Sequence, residues 1–483
     1  MKANLIIDNN HVEAIDGGKF ERYNPMGDSV VTTVAAGGTK DACLAAESAA
    51  RAFETWSQTT PLERRTILLA AADRLEAKMD VISKTMAAEV GASAMWSALH
   101  VTMAANLFRE AAGLTTQTIG ETIPTNRPGL LSMTIRQPVG VVLSIAPWNG
   151  AIVLGARAIA YPIACGNTVV LRGSELSPAT FSLLVEALHE GGLPPGVLNL
   201  VFNAPAAAPE IIDTLINHPA IRRINFTGST RVGKIIAEKA GRVLKRCLLE
   251  LGGKSPLVVL DDADIDGAVN AAVFGAFIYQ GQICMSTERL VVDETVADAF
   301  VEQLARRAEV LAVGDPTVNS SIVVGPLIDA HSGSRINELI RDALSKGAIL
   351  VTGGYAEGAV MRPTVLDRCT PQMMIYDEES FGPITTVVRV SGIEEAIKIA
   401  NDTQYGLAAA VFGRDAYRAL QVGRRIDAGA VHINGTTVQN ESQAPFGGVK
   451  ASGYGRFDGR AVIDEFTELK WMTIGQADQA YPI

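Results

Sequence analysis

Val139-Gly140-Val141-Val142-Leu143-Ser144-Ile145-Ala146-Pro147-Trp148-Asn149-Gly150 opens the part of the chain whose pattern decides the fold. An apolar run of strand length ends in a Pro-Trp-Asn-Gly turn, and an apolar segment of helix length, 151–164, follows. The alternation then repeats, with strands at 139–145, 167–172, 197–202 and 221–226 and helices at 151–164, 178–191 and 206–218. Strands that alternate with helices and lack hairpin turns need right-handed crossovers, which set them side by side in a parallel sheet. The fold class that follows is α/β, doubly wound around a parallel sheet.

Downstream the pattern recurs, with strands at 255–260, 289–292, 385–390, 407–412 and 430–433 and helices at 264–280, 295–312, 332–346, 393–401 and 415–425. This predicts a second α/β domain. Upstream, residues 40–118 are Ala-rich with Leu, Phe53 and Trp56 at helical spacing, and Thr60-Pro61 marks a helix start running to about Met79. Residues 119–138, with Pro124, Pro128, Gly129 and alternating Leu131, Met133 and Ile135, suit an extended excursion. Residues 466–474 form a strand with no later partner in the chain, which points to pairing between subunits.

A chain of 483 residues exceeds one ordinary core. With 52 acidic against 42 basic residues and a net charge of -10, it lacks the basic stripe that nucleic acid or an anionic membrane surface requires. Asp8-Asn9-Asn10 interrupts the N-terminal apolar stretch before a signal-peptide core can form, and 139–147 is far short of a bilayer span, so a cytoplasmic location is expected. Cys43, Cys165, Cys247, Cys284 and Cys369 are odd in number and show no CxxC spacing. Neither a disulfide framework nor a metal site is suggested.

Several residue groups are able to carry chemistry. Asn149 ends the first strand, where its amide is either an oxyanion donor or a turn residue. Arg172 and Glu175 follow the second strand, either binding a nucleotide ribose or forming a local ion pair in a solvated loop. Phe226-Thr227-Gly228-Ser229-Thr230-Arg231-Val232-Gly233 is a strand, a turn and a helix start, a place that favours phosphate. Glu250 sits in an apolar strand before Leu251-Gly252-Gly253-Lys254, where a carboxylate is either a general base with a raised pKa or a partner of Lys254. Cys284, in Gly281-Gln282-Ile283-Cys284-Met285, has no histidine nearby in sequence. It is either a nucleophile activated from a distance or a structural thiol.

Taken together, the order and spacing of these segments resemble the aldehyde dehydrogenase superfamily. The resemblance rests on Pro147-Trp148-Asn149, Gly228-Ser229-Thr230, Glu250 to Lys254, Gly281 to Cys284, Glu378 to Pro383 and Pro445 to Gly453, spread over essentially the whole chain. It implies Cys284 as nucleophile, Glu250 as general base and Asn149 as oxyanion donor. Trp148, Arg172, Glu175, Gly228, Ser229, Gly233, Glu379 and Phe381 would hold the dinucleotide, with Glu379 on the nicotinamide ribose and Phe381 near the nicotinamide. The implied domains are a dinucleotide-binding domain from 1–118 and 139–250, a catalytic domain at 251–450, and a small β oligomerisation arm from 119–138 and 460–483, in a homodimer or homotetramer.

Three departures from the family pattern sharpen the expectation. Arg172-Gly173 replaces the usual Lys-Pro. A guanidinium there could favour a 2′-phosphate, but Glu175 would repel one, so NAD is favoured over NADP. Gly150 replaces an aromatic residue after Asn149, and Arg157 stands where a lysine is common. Together with Trp96 and with Ile283 and Met285 beside the cysteine, these would frame a flat aromatic aldehyde, in resemblance to the members acting on salicylaldehyde, benzaldehyde and vanillin. Arg456-Phe457-Asp458-Gly459 replaces Arg-Glu-x-Gly, with no evident consequence at this level. The rivals are an NADP-preferring dehydrogenase of aliphatic semialdehydes and a non-catalytic binding relative.

Overall fold

The computed structural model describes residues 1–478, and among these four sheets are formed. The first has eight strands, in the spatial order Gly453–Tyr454, Arg246–Glu250, Ile221–Thr227, Val141–Ile145, Thr168–Arg172, Leu198–Val201, Leu5–Ile7 and Asn10–Val12. Its five central strands are parallel, joined by the helices Ala151–Ala164, Pro178–Glu190, Ala208–Asn217 and Thr230–Arg242. Every residue of Val141–Ile145 is buried, as a parallel strand covered on both faces requires. The second sheet has seven strands, in the order Ile349–Thr352, Thr364–Asp367, Ile384–Val390, Thr287–Asp293, Ser255–Val259, Ala408–Phe412 and Ala430–Ile433, all parallel except the first.

The apolar pattern marks no strand before residue 119, whereas the structure has five there, three of which form a separate sheet while two extend the edge of the first. These strands are short, and most mix polar with apolar residues, as in Lys19–Tyr23, so no long apolar run announces them. Ile349–Thr352 and Thr364–Asp367 also escape that reading. The predicted strand 139–145 begins at Val141: Val141–Ile145 and the strand Leu131–Pro138 of the excursion belong to different sheets, and Gly140 between them has φ +126°, where a side chain is strained. The Thr60-Pro61 helix start is present, with a Thr60–Glu63 capping box.

The tail strand has an earlier partner in the chain: Thr467–Ile474 pairs antiparallel with Leu131–Pro138, in register from Thr467 with Pro138 to Ile474 with Leu131. The excursion and the tail lie too far apart in sequence for pattern to match them, but Trp471 Nε1 donates to Ser132 Oγ at 2.8 Å and Arg136 meets Asp464 at 2.6 Å. The ribbon keeps Leu469, Trp471 and Ile474 exposed. Residues 479–483 of the expected arm lie outside the described residues. No helix among the described residues is long and apolar enough to cross a membrane.

Candidate active site

In an open α/β sheet, loops at the carboxyl ends of the strands collect ligands. Asn149 follows Val141–Ile145, Glu175 follows Thr168–Arg172, Gly228 follows Ile221–Thr227, and Glu250 ends Arg246–Glu250. Cys284 reaches them from the second half of the chain on a turn after the helix Ile265–Phe277. Tyr279, Gln280 and Gly281 take left-handed φ of 50°, 53° and 66° in succession. That conformation is costly for the first two, and it persists because the surroundings fix it. Gln280 Nε2 donates to Pro326 O at 2.8 Å, Gln280 Oε1 accepts from Gly325 N at 3.1 Å, and Gln282 Oε1 accepts from Ile328 N at 2.8 Å. Glycine is needed at 281 because a Cβ would lie 2.1 Å from the Gly382 carbonyl oxygen.

Cys284 stands where two cavities meet. The first, of about 250 Å³, is apolar; Trp96, Gly150, Arg157, Ile283 and Met285 are on its walls. The second, of about 200 Å³, is lined by Trp148, Gly228, Ser229, Glu250, Glu379 and Phe381. Asn149 and Cys284 line both. Asn149 Nδ2 donates one proton to the Gln282 carbonyl at 2.9 Å, which leaves the second proton of that amide for the cavity. The Cys284 backbone N–H makes no backbone hydrogen bond among the described residues.

Glu250 is buried, and neither carboxylate oxygen accepts a hydrogen bond. Burial pushes its pKa up to about 7; the neighbouring Cys284 thiol and the Arg157 charge pull the other way. Burial, reinforced by the adjacent Glu250, pushes the Cys284 thiol well above its usual value. Lys254 is not the partner of Glu250. Its Nζ meets Glu288 at 2.6 Å and donates to the Glu378 carbonyl at 2.7 Å, while Glu288 accepts from Ser380 and Phe381 N–H. This buried pair therefore positions the loop carrying Glu379 and Phe381. The two preceding glycines allow close approach: a Cβ on Gly252 would lie 2.7 Å from Glu379 Oε2, and one on Gly253 would lie 2.2 Å from the Cys284 carbonyl oxygen.

Features of the second cavity suit a dinucleotide. Ser229 caps the helix Thr230–Arg242, whose free N-terminal amides favour an anion. Trp148 and Phe381 meet edge to face at 5.8 Å, and Glu379 Oε1 accepts from Gly253 N–H at 3.1 Å. Burial lifts Glu379 to about 8. Arg172, Glu175 and Gly233 are not on this cavity's wall. Arg172 Nη2 donates to Glu175 at 2.7 Å and its Nε to Asn203 at 3.0 Å, so the local ion pair is present. Gly233 is required by packing, since its Cβ would strike Leu251 at 2.4 Å.

A model described as "Aldehyde dehydrogenase family" matches residues 11–472. The chain belongs to the aldehyde dehydrogenase family. It is 58% identical over 482 residues to salicylaldehyde dehydrogenase of Pseudomonas putida, covering 100% of both chains. It is 52% identical over 479 residues to vanillin dehydrogenase of Pseudomonas fluorescens, covering 99% of each. The crystal structure of a salicylaldehyde dehydrogenase from Pseudomonas putida G7 complexed with salicylaldehyde matches with a TM-score of 0.99 at 59% identity, covering 100% of both chains. The protein is an aldehyde dehydrogenase with the fold of that family, and its cofactor is a nicotinamide dinucleotide, NAD or NADP.

The aldehyde dehydrogenase cavity also has walls that motif reading missed, among them His100, Phe274, Asn440 and Phe446. Trp96 stacks on Tyr279 at 5.1 Å and 14°, so the cavity wall leans on the strained turn that presents the cysteine. Arg157 is buried against Asp458, with Nη2 to Oδ2 at 2.9 Å. The departures at 157 and 458 are thus two halves of one contact, and the coincidence of two unusual residues was the signal for it.

Two outcomes follow from this geometry. Gly253→Ala should push Cys284 off its position, and a displacement of about 1 Å at a reacting group costs on the order of 100-fold in kcat/KM. Steady-state kinetics on the folded variant checks this. Deprotonated Glu250 predominates only above about pH 7, so the hydrolytic rate should rise as pH climbs through 7 and level off above it. A pH–kcat profile with no inflection between about pH 6 and 8 would contradict a role for Glu250 as base.

Proposed function

We propose that this enzyme oxidises aromatic aldehydes of the salicylaldehyde type to their carboxylic acids, with NAD as the oxidant. The observation that carries the proposal is the position of Cys284 between an apolar cavity and a second cavity suited to a dinucleotide. Relatives named for salicylaldehyde and vanillin, matched along the full chain, support the same substrate class. Ring burial against Trp96 and the aliphatic walls favours a flat aromatic substrate, and a short aliphatic aldehyde forgoes that contact.

In the proposed reaction the thiol of Cys284 gives up its proton to solvent. The thiolate attacks the aldehyde carbon, forming a thiohemiacetal. The second amide proton of Asn149 and the Cys284 N–H stabilise its oxyanion, at about 3 kcal/mol per donor in comparable sites. The dinucleotide, when bound, supplies the acceptor for the hydride. Cys284 then holds the acyl group as a thioester. Glu250 takes a proton from the water that attacks this thioester, and the acid and the free thiol are released.

NAD is favoured because the Glu175 carboxylate occupies the Arg172 guanidinium and would repel a 2′-phosphate. Glu175, Arg172, Gly228, Ser229 and Glu379 would bind the dinucleotide, with Trp148 and Phe381 beside the nicotinamide. Self-association as a homodimer or homotetramer is supported by the exposed Leu469, Trp471 and Ile474 of the ribbon, and a reducing cytoplasm suits five unpaired cysteines. Cys284→Ala should abolish NADH formation from aldehyde, and substantial residual turnover sinks the assignment. Initial rates should favour salicylaldehyde with NAD over succinic semialdehyde by at least about 100-fold. A preference for the semialdehyde with NADP reverses the proposal.

A further inference from the structure

Among the described residues, the first cavity has one permanently charged side chain on its wall, Arg157. His100, also on the wall, is held neutral, with a pKa lowered to about 3 by burial and by Arg157. Behind the wall, Asp458 meets Arg157 twice: Nε donates to Oδ1 at 3.2 Å, and Nη2 lies 2.9 Å from Oδ2. Both side chains are almost completely buried, at 3% and 0% exposure, so water does not screen the pair. The guanidinium also lies over the Phe446 ring, 4.4 Å from its centroid, and Phe446 is itself on the cavity wall. Asp458 holds a left-handed φ of +61°, a conformation that persists in a non-glycine residue where its surroundings impose it.

We infer that Asp458 is a specificity-determining positioning residue, which cancels the charge of Arg157 so that the cavity accepts neutral aldehydes and retains neither an anionic aldehyde nor the carboxylate product. This deepens the aromatic-aldehyde reading and rests on it. An unpaired arginine in a cavity of low polarity would bind any carboxylate strongly, because low dielectric and a bidentate fork both strengthen the contact. The reach is sufficient: Arg157 and Cys284, at whose sulfur the product carboxylate is formed, are on the wall of the same cavity. With Asp458 in place the charge of the guanidinium is already paired. The acid, formed beside the ionisable Glu250, meets repulsion and no compensating cation.

The test is calorimetric titration of benzoate into wild-type enzyme, Asp458→Asn and the double variant Arg157→Gln/Asp458→Asn. Asp458→Asn should bind benzoate about tenfold or more tightly than wild type, the scale for an uncompensated buried charge meeting a carboxylate. The double variant should return to weak binding. A merely structural role for Asp458 predicts loss of function, never a gain in carboxylate affinity. Unchanged benzoate affinity in folded Asp458→Asn overturns the inference.

The wild-type enzyme supplies a second measurement that needs no variant. It should turn over methyl 4-formylbenzoate at least about 100-fold better than 4-carboxybenzaldehyde in kcat/KM, since the latter brings an anion of similar shape into a cavity without a free cation. Equal efficiency overturns the inference even if Asp458→Asn does not fold. Failure of wild type to oxidise any benzaldehyde would remove the aromatic reading itself, whereas unchanged benzoate affinity removes only the role of Asp458.

Discussion

The amide of Asn149 donates to the carbonyl of Gln282 across 2.9 Å, and that bond joins the carboxyl end of a first-sheet strand to the turn that presents Cys284. Each side of the contact is built independently. Asn149 is placed by a fully buried parallel strand and the helix that follows it. Cys284 is placed by three successive left-handed residues, which the side chains of Gln280 and Gln282 pin to residues 325–328. Rigid elements that meet at one hydrogen bond define a reacting centre more closely than either could alone.

The electrostatics are arranged around that contact. Glu250 stays without a hydrogen bond because the obvious cation, Lys254, is taken by Glu288, and a carboxylate left unpaired in a buried site keeps a raised pKa. The same Lys254–Glu288 pair fixes the loop with Glu379 and Phe381, so one buried ion pair both orders the wall of the second cavity and leaves the Glu250 carboxylate without a cation partner. Arg157 and Asp458 do the corresponding work on the substrate side, where a positive charge is kept from acting as an anion site.

Much of this was legible in the sequence, for reasons that can be named. Strands buried on both faces read as apolar runs, so the central strands of both sheets were found, while Lys19–Tyr23 and Ile349–Thr352, at sheet edges and partly exposed, were not. Asn149, Glu250 and Cys284 are recognisable as a set through the resemblance to the aldehyde dehydrogenase family, and the structure brings them to one junction. What stayed hidden were partnerships between distant segments: Lys254 with Glu288, the ribbon of Leu131–Pro138 with Thr467–Ile474, and Arg157 with Asp458. Asp458 stood out only as a departure without meaning until its contact with Arg157 supplied one.

The central claim is that Cys284 carries the acyl group and Glu250 releases it. The most direct measurement is intact-protein mass spectrometry combined with rapid-mixing absorbance on Glu250→Gln, given salicylaldehyde and NAD. The account predicts a burst of NADH stoichiometric with enzyme, followed by near arrest, and a mass increase of one salicyloyl group located on Cys284. An undiminished steady state, with no adduct on the cysteine, would contradict it.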